Sequence, residues 1–363
     1  MAEKNKKGYI ILENGKIFEG IFFGYKKEIV FEIVFNTSTS GYVQILSDPS
    51  YAGQGIVFAY PLIGNYGVNI EKLESNKFWV SAAIVNTLCE TPMYGDDTLE
   101  KALLRYKIPG LKNVDTRAIV RTISENGCMK AKISFSNKNI IQQIKELKKT
   151  NVVVPIEKIT TNKINSIGKG KYKIALYDYG VKTNIVRNLL KRNCQVDILP
   201  NSVSYRYIIN NKYDGILLSN GPGDPFDNKI AINNVNKLLQ TNIPIFGICM
   251  GHQILGLASG GKTNKINYGH RGPNQPVRYL CDGKVYMTSQ NHGFEVIESS
   301  LKKNKNIMIS FKNANDQSVE GLKYLNKPVF SVQFHPEASP GPQDTLFLFD
   351  DFINNVKKYH GKK

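Results

Sequence analysis

The second half of the chain alternates short apolar segments with amphipathic ones, and this alternation constrains the fold more than any other feature. The apolar segments have the length of strands, and the segments between them have the period of helices. In order, they are strand 173–177, helix 183–191, strand 195–199, helix 205–210, strand 215–218, helix 230–239 and strand 244–248. Such alternation predicts an α/β domain with a mainly parallel sheet flanked by helices, in which ligands bind at the carboxyl ends of the strands.

The first half follows a different pattern, in which short β-like segments are separated by turn residues. Residues 9–12 and 17–22 flank the dipeptide Asn14-Gly15, which is typical of a tight hairpin between antiparallel strands. The other predicted elements of this half are strands 29–35 and 78–85 and helices 99–106 and 139–147. This half is therefore predicted to be a mixed α/β, β-rich domain.

A polar stretch separates the two halves. Residues 156–172 contain several lysines together with Gly168 and Gly170, a composition typical of a linker. At 363 residues, the chain is long enough for two domains that each bury a core. We predict a first domain over residues 1–155, a linker over 156–172 and a second domain over 173–363.

Composition and charge exclude several classes of protein. The longest apolar segments are strand-sized, far below the roughly 20 residues that cross a bilayer, and residues 1–7 are too polar for a secretory signal. The formal net charge is +18, but the lysines are spread along the chain instead of forming a dense patch that would bind a phosphate backbone. We therefore predict no membrane association, no export and no nucleic-acid partner.

Cysteine usage favours a reducing compartment. The five cysteines are scattered, odd in number and free of C-x-x-C spacing, which argues against a disulfide framework and against a zinc site. They are Cys89, Cys128, Cys194, Cys249 and Cys281. No metal site is predicted, and only Cys249 lies in a pattern that favours chemistry.

Cys249 lies at the centre of Gly247-Ile248-Cys249-Met250-Gly251, between an apolar strand and an apolar helix at residues 252–258. This G-x-C-x-G pattern is the cysteine counterpart of the nucleophile elbow, in which small neighbours let a strained turn project the nucleophile above the sheet. The N-terminus of the following helix also favours the thiolate form. A buried structural cysteine is the alternative, but the two flanking glycines favour a nucleophile.

A cysteine nucleophile needs a base and a group that orients the base, and His335-Pro336-Glu337 offers both. Residues 329–334 have a strand-like composition, and a residue before proline is driven to extended conformation, so His335 should continue that strand. Residues two apart in an extended chain project to the same side, which lets Glu337 orient the imidazole. A lone His-x-Glu pair is also typical of an exposed polar contact.

The loop after strand 215–218 is rich in glycine and proline. It runs Ser219-Asn220-Gly221-Pro222-Gly223-Asp224-Pro225. Backbone N–H groups commonly hold the negative charge that develops on a reacting carbonyl oxygen, and those of Gly221 and Met250 are candidates for such an oxyanion hole. A tight turn between strand and helix is the alternative for this composition.

Together, these segments resemble the three signatures of class I (triad) glutamine amidotransferases. The resemblance rests on residues 247–251 with Gln253, on residues 221–225 and on residues 335–337. Within that class, the chain resembles the carbamoyl-phosphate synthase small subunit nearly end to end. The motifs that carry this likeness are Phe35-Asn36-Thr37-Ser38, Gly41-Tyr42, Asp48-Pro49-Ser50-Tyr51, residues 60–65, Asp115-Thr116-Arg117 and residues 335–342.

The resemblance implies a mechanism and a set of site residues. Cys249 would attack the side-chain amide of glutamine, His335 would protonate the departing ammonia with Glu337 as its partner, and water would cleave the glutamyl thioester. The residues that match glutamine-binding positions of the family are Ser50, Gly221, Gly223, Met250, Gln253, Asn291, Gly293 and Phe294. His292 is an alternative base, disfavoured because it lacks an adjacent carboxylate partner.

The resemblance also implies partners. Ammonia would pass through an internal tunnel to a large subunit, which holds ATP and Mg and makes carbamoyl phosphate from bicarbonate for arginine and pyrimidine biosynthesis. No cofactor is expected in this subunit, and the assembly would be a heterodimer or an oligomer of heterodimers. The expected location is the cytoplasm, or the plastid stroma if the gene is plastid-encoded. The alternatives are an amidotransferase subunit of another synthase and a catalytically inactive regulatory subunit.

Overall fold

The computed structural model describes residues 6–95 and 97–362. The chain forms two compact units, of which the first ends at Val154 and the second begins at Pro155. The stretch predicted as a linker, residues 156–172, therefore belongs to the second unit, where Asn165–Ile167 forms a short strand. Within the described ranges, no helix is long and apolar enough to cross a membrane.

The first unit is built around a closed β-barrel. The strands of the unit are β1 Lys7–Leu12, β2 Ile17–Gly24, β3 Ile29–Asn36, β4 Gln54–Phe58, β5 Leu62–Ile63, β6 Ala82–Ile84, β7 Thr87–Leu88, β8 Pro109–Lys112 and β9 Met129–Ser134. Its helices are α1 Tyr42–Ser47, α2 Leu99–Arg105, α3 Thr116–Asn126 and α4 Ile140–Lys149. Around the barrel the order is β1-β2-β8-β6-β4-β3-β9. This confirms the predicted mixed, β-rich fold.

Two predicted strand segments of this unit differ in outcome. The hairpin around Asn14-Gly15 is confirmed, because β1 and β2 pair antiparallel and Gly15 takes a φ of 91° in the turn. The strand predicted at residues 78–85 is shorter and covers only β6. The N–H of Trp79 donates instead to the carbonyl of Leu46 in α1, and Val80 makes only an isolated bridge.

The second unit contains a ten-stranded sheet in its described part. Its strands are β10 Asn165–Ile167, β11 Tyr172–Asp178, β12 Cys194–Pro200, β13 Gly215–Leu218, β14 Ile245–Ile248, β15 Thr263–Tyr279, β16 Val285–Val296, β17 Ile307–Asn313, β18 Val319–Tyr324 and β19 Val329–Val332. Its helices are α5 Thr183–Leu190, α6 Tyr205–Asn210, α7 Lys229–Leu238, α8 Met250–Ala258, α9 Glu298–Leu301 and α10 Phe347–His360.

The predicted parallel sheet is present in one half of this larger sheet. Strands β12, β11, β13, β14 and β19 are neighbours and pair in parallel. The remaining strands pair antiparallel, and β15 to β18 continue the sheet beyond β19 without helices between most of them. The fold class is therefore α/β as predicted, whereas the antiparallel extension was not predicted.

Helices cover both faces of the parallel half because successive residues of a strand project to opposite sides. Ala175 and Tyr177 of β11 pack in one apolar cluster with residues of α6, α7 and α8. Their neighbours Ile174 and Leu176 pack in another cluster, with residues of α5 and α10. Burial of both faces explains why these strands are almost wholly apolar in sequence.

The sheet order brings three loops together at the carboxyl edge of the strands. In the parallel register, Leu218 of β13 lies beside Gly247 of β14, and Ile248 of β14 lies beside Val332 of β19. The loops that follow these three strands therefore begin side by side. The loop after β13 is the glycine-rich segment, the loop after β14 begins with Cys249 and the loop after β19 contains His335. All three were predicted as parts of the site.

Candidate active site

Cys249 lies in a strained turn between β14 and α8. Its backbone has φ 53° and ψ −102°, a combination that residues other than glycine rarely adopt. The flanking glycines are required by space, since a Cβ at Gly247 would lie 2.8 Å from the Gly251 carbonyl oxygen. A Cβ at Gly251 would lie 2.2 Å from the carbonyl oxygen of Leu218. The turn has the geometry of a nucleophile elbow, and its cysteine is buried.

His335 and Glu337 form a buried pair in the loop after β19. The Nδ1 atom of His335 lies 2.7 Å from Oε1 of Glu337, and the His335 N–H donates to the carbonyl of Ser289 at 2.8 Å. Because a carboxylate only accepts, Nδ1 carries a proton. The Nε2 atom is buried and has no hydrogen-bond partner among the described residues. Nε2 is thus the ring nitrogen available for proton exchange.

Two residues that the sequence analysis did not single out hold Glu337 in place. Lys182 is 3% exposed, and its Nζ lies 3.0 Å from Oε1 of Glu337 while also donating to the carbonyl of Ala338. The side chain of Asn184 donates to the main-chain carbonyl of Glu337. The orienting carboxylate is therefore itself paired and positioned.

The buried ionisable groups of this site shift one another's pKa towards the charged forms. Burial lowers the pKa of His335, but the Glu337 carboxylate and the Cys249 thiol outweigh it, so the pKa is raised. Burial raises the pKa of Glu337, but Lys182 and His335 outweigh it, so the pKa is held well below its usual range. Both shifts favour the charged forms of the pair, an imidazolium and a carboxylate.

Strand β16 forms a wall beside the cysteine. From α8, Gln253 Nε2 donates to the carbonyl of Phe294 at 2.9 Å and to Oε1 of Gln333 at 3.1 Å. The Cys249 thiol donates to the carbonyl of Asn291 at 3.7 Å. The side-chain Nδ2 of Asn291 is buried without a partner in the described part of the chain. Since an unpaired buried N–H costs free energy, this amide is suited to a polar ligand.

Comparison with known proteins identifies the family. Residues 175–355 match the model of class-I glutamine amidotransferases, and residues 10–133 match that of the carbamoyl-phosphate synthase small chain, CPSase domain. The chain is 43% identical over 353 residues to the carbamoyl phosphate synthase small chain of Fusobacterium nucleatum, covering 96% of this chain and 97% of that protein. The chain belongs to the carbamoyl-phosphate synthase small-chain family.

Other relatives have related names. The pyrimidine-specific small chain of carbamoyl phosphate synthase from Bacillus subtilis is 44% identical over 357 residues, covering 97% of this chain and 96% of that protein. A solved structure of a GMP synthase component from Thermoplasma acidophilum is 23% identical, with a TM-score of 0.46 over 53% of this chain and 96% of that chain. As a member of its family, the chain is a glutamine-hydrolysing small chain of carbamoyl-phosphate synthase.

The small chain's remaining predicted site residues are distributed as follows. Gly221 follows β13, and a Cβ there would lie 2.2 Å from the carbonyl oxygen of Tyr179, whereas Gly223 has φ 87° and open space around it. Met250 opens α8, so its N–H has no acceptor within that helix. Gly293 lies on β16 between Asn291 and Phe294. Ser50 lies in the first unit, where its N–H donates to Oδ1 of Asp48 at 2.9 Å.

His292, the alternative base, has both ring nitrogens engaged. Nδ1 lies 2.9 Å from the Phe294 carbonyl and Nε2 lies 3.0 Å from Oε1 of Gln290. The expectation that it lacks a carboxylate neighbour is wrong, because Oε1 of Glu320 lies 3.8 Å from Nε2. Burial nevertheless lowers the pKa of His292 well below its usual range. Two histidines of this region, His335 and His252 of α8, keep an Nε2 atom without a partner among the described residues. The Nδ1 of His252 lies 2.9 Å from the Ser331 hydroxyl instead of a carboxylate, and burial lowers the pKa of His252 to about 3, so His335 is the better candidate for the base.

A second cluster of polar side chains lies behind the β16 wall. His270, His292 and Glu320 each place a potential metal ligand within 4.8 Å of the others, where the sequence analysis predicts no metal site. Protein groups already engage the cluster. His270 Nε2 lies 2.8 Å from Asp316, and Gln290 donates to Glu320 at 3.1 Å. The first of these bonds joins β15 to the loop before β18 and the second joins β16 to β18, so together they support the wall.

Proposed function

We propose that the small chain hydrolyses glutamine by thioester chemistry at Cys249, with His335 as the proton carrier and Glu337 as the group that orients it. The observation that carries the proposal is the state of His335. Its Nδ1 is held by Glu337, its Nε2 has no nitrogen or oxygen partner in the described ranges, and the Glu337 carboxylate and the neighbouring Cys249 sulfur raise its pKa. A buried imidazolium with one unengaged N–H is what a departing amine requires.

The proposed reaction has two halves. The Cys249 thiolate attacks the side-chain carbonyl carbon of glutamine, and the oxygen takes the negative charge while the N–H groups of Met250 and Gly221 stabilise it. The C–N bond then breaks as His335 gives its Nε2 proton to nitrogen, which releases ammonia and leaves a glutamyl thioester. In the second half, His335 takes a proton from water, the resulting hydroxide attacks the thioester, and glutamate leaves as the Cys249 thiolate is restored beside protonated His335.

Recognition of glutamine is proposed for residues that surround this nucleophile. The unpaired Nδ2 of Asn291 supplies a donor, and the glycines at positions 221, 223 and 293 allow backbone groups to approach the ligand closely. Gln253 and Phe294 are already joined by a hydrogen bond and fix one side of the pocket. Ser50 is proposed as a further glutamine contact on the family resemblance alone.

The proposed destination of the ammonia is a large chain, because small chains are named as one part of a larger synthase. That partner would hold ATP and Mg and receive ammonia through an internal tunnel, in a heterodimer or an oligomer of heterodimers. The product, carbamoyl phosphate, would serve pyrimidine and arginine synthesis, and one relative is named as pyrimidine-specific. We propose the cytoplasm as the location, with the plastid stroma as the alternative that mapping the gene would decide.

Replacement of the nucleophile tests the proposal. In the complex with the large chain, Cys249→Ser should abolish glutamine-dependent carbamoyl phosphate formation and leave the ammonia-dependent reaction intact. Cys194→Ser is a matched control, because Cys194 is also buried in the second unit but lies in β12, whose carboxyl end is not one of the three site loops. It should retain both reactions.

The outcomes separate the rival functions. If Cys249→Ser still used glutamine, the thioester mechanism would be wrong. If the unaltered chain failed to use glutamine with any large chain but still raised its ammonia-dependent rate, the chain would be a regulatory subunit. If it supplied ammonia only to a different synthase, the assignment of the partner would be wrong.

A further inference from the structure

Gln333 is a fully buried residue with no part in the mechanism above. It lies directly after β19 and two residues before His335, and its N–H donates to the carbonyl of Glu320 at 2.9 Å. Both ends of its side-chain amide are engaged in the site. Nε2 donates to the sulfur of Cys249 at 3.7 Å, and Oε1 accepts from Nε2 of Gln253 at 3.1 Å.

The orientation of this amide is fixed by its neighbours. Gln253 must present its NH₂ group to Gln333, because the same nitrogen donates to the Phe294 carbonyl, which can only accept. Gln333 must therefore present its oxygen to Gln253 and its NH₂ group to the sulfur. The reversed amide would place two NH₂ groups against each other and an oxygen against the sulfur. In this relay Gln253 donates both to Phe294 and to Gln333, and Gln333 donates in turn to Cys249.

An N–H aimed at the sulfur has a chemical consequence. Hydrogen bonds to the charged form of a group favour that form, and they are stronger where water is excluded. The Asn291 carbonyl, on the other hand, accepts from the thiol and favours the neutral form. Gln333 is thus a side-chain donor that counteracts this carbonyl and favours the nucleophilic thiolate.

We propose that Gln333 is a further catalytic residue of the small chain, which stabilises the Cys249 thiolate through its side-chain N–H and is oriented for this by Gln253. The inference rests on the proposed thioester mechanism. Because Gln253 is also a proposed glutamine contact, one relay joins substrate recognition to the state of the nucleophile. Gln333 acts when Cys249 attacks and again when the sulfur leaves the thioester.

The test compares three variants in the complex with the large chain. Gln333→Met keeps the volume and removes both polar ends, and Gln333→Glu puts a carboxylate oxygen against the sulfur. Gln143→Met is the matched control, since Gln143 is a buried amide of the first unit that donates to main-chain carbonyls. The probe is iodoacetamide, and alkylation of Cys249 is followed by peptide mass spectrometry as a function of pH. Glutamine-dependent and ammonia-dependent synthesis are measured alongside.

We expect the midpoint of the alkylation profile to move to higher pH by about one pH unit in Gln333→Met and further in Gln333→Glu. The kcat with glutamine should fall about tenfold in Gln333→Met, and the KM should change by less than about threefold. The ammonia-dependent rate and the Gln143→Met profile should not change. The proposal is overturned if the Gln333→Met and Gln333→Glu midpoints match that of the parent while ammonia-dependent synthesis persists.

Two outcomes keep the inference distinct from the function on which it rests. If Cys249→Ser used glutamine, the proposed function would fail, whatever the behaviour of Gln333. If Gln333→Met lost the ammonia-dependent rate through misfolding, the Gln333→Glu profile would decide the matter, because that variant keeps the shape of the side chain. An unshifted Gln333→Glu midpoint would then overturn the proposal.

Discussion

Loss of the lysine that neutralises Glu337 should damage the stability of the small chain more than loss of any exposed ion pair. Lys182 is 3% exposed, and the Glu337 side chain that it contacts at 3.0 Å is fully buried. Removing one partner of a buried pair leaves an uncompensated charge and costs about 3–5 kcal/mol. We therefore expect Lys182→Met to lower the free energy of unfolding at pH 7 by about 3 kcal/mol or more.

The loss of stability in Lys182→Met should depend on pH in a definite direction. Lys182 holds the pKa of Glu337 below its usual range, so the stabilisation is present above the ordinary pKa of a glutamate and is lost as pH falls through the folded value. In Lys182→Met the pKa of Glu337 rises, and the carboxyl can be neutralised by a proton. The difference between the parent and the variant should therefore narrow as the pH falls from 7 to about 3, a range that spans the ordinary pKa of a glutamate.

Urea denaturation of the purified chain at these two pH values measures both effects. Lys173→Met is the matched control, because Lys173 lies 3.7 Å from Asp197 with its side chain 35% exposed. A partly exposed pair contributes about 0–1 kcal/mol, so this variant should unfold close to the parent. The reasoning is refuted if Lys182→Met costs no more than Lys173→Met, or if its loss is the same at both pH values.

Three further outcomes follow from the same structure. Glu337→Gln should lower glutamine-dependent turnover by about 10²-fold, measured as glutamate release, because the pKa of His335 falls without its carboxylate; equal turnover would contradict the role of Glu337. Gly251→Ala should unfold at lower urea than Gly361→Ala, because a Cβ at Gly251 meets the Leu218 carbonyl oxygen at 2.2 Å, whereas Gly361 has φ −70° and its nearest atom would lie 3.5 Å away. Asp316→Asn should flatten the loss of stability between pH 7 and 10, because His270 has its pKa raised to about 9 and its pairing is lost as pH rises through that value. An unchanged slope in urea denaturation would contradict this last prediction.

How much of the site could be predicted depends on the distance in sequence between its parts. The elbow around Cys249 is visible because its strand, glycines and helix are contiguous. The contact between His335 and Glu337 follows from a spacing of two residues, and the structure has it at 2.7 Å. The strand itself ends earlier than expected, at Val332, and His335 is held by an isolated bridge to Ser289.

The parts that were missed are polar residues whose partners lie far along the chain. Lys182 contacts the loop of Glu337 and Ala338 although it lies 156 positions before Ala338 in the sequence. In a sequence with 48 lysines and arginines, nothing distinguishes a single lysine as a site residue. Gln333 contacts Cys249 although the two lie 84 positions apart in the sequence, and an uncharged glutamine does not by itself indicate a functional site. In the fold, the antiparallel extension was missed because its strands are not separated by regular helical segments, so the alternation that predicts a parallel sheet is absent there.

The free-energy cost of burying the charged groups of this site is reduced because opposite charges lie next to one another. In the thiolate form that the proposed mechanism requires, Cys249 and Glu337 carry negative charges while His335 and Lys182 carry positive ones, so the four charges sum to zero. Burial penalises every one of these groups in isolation. The adjacent loops after β13, β14 and β19 are what bring three of the site segments into register, and α5, which follows β11, begins next to Lys182. The order of strands in the sheet is therefore a condition for the chemistry, since it supplies each buried charge with its counter-charge.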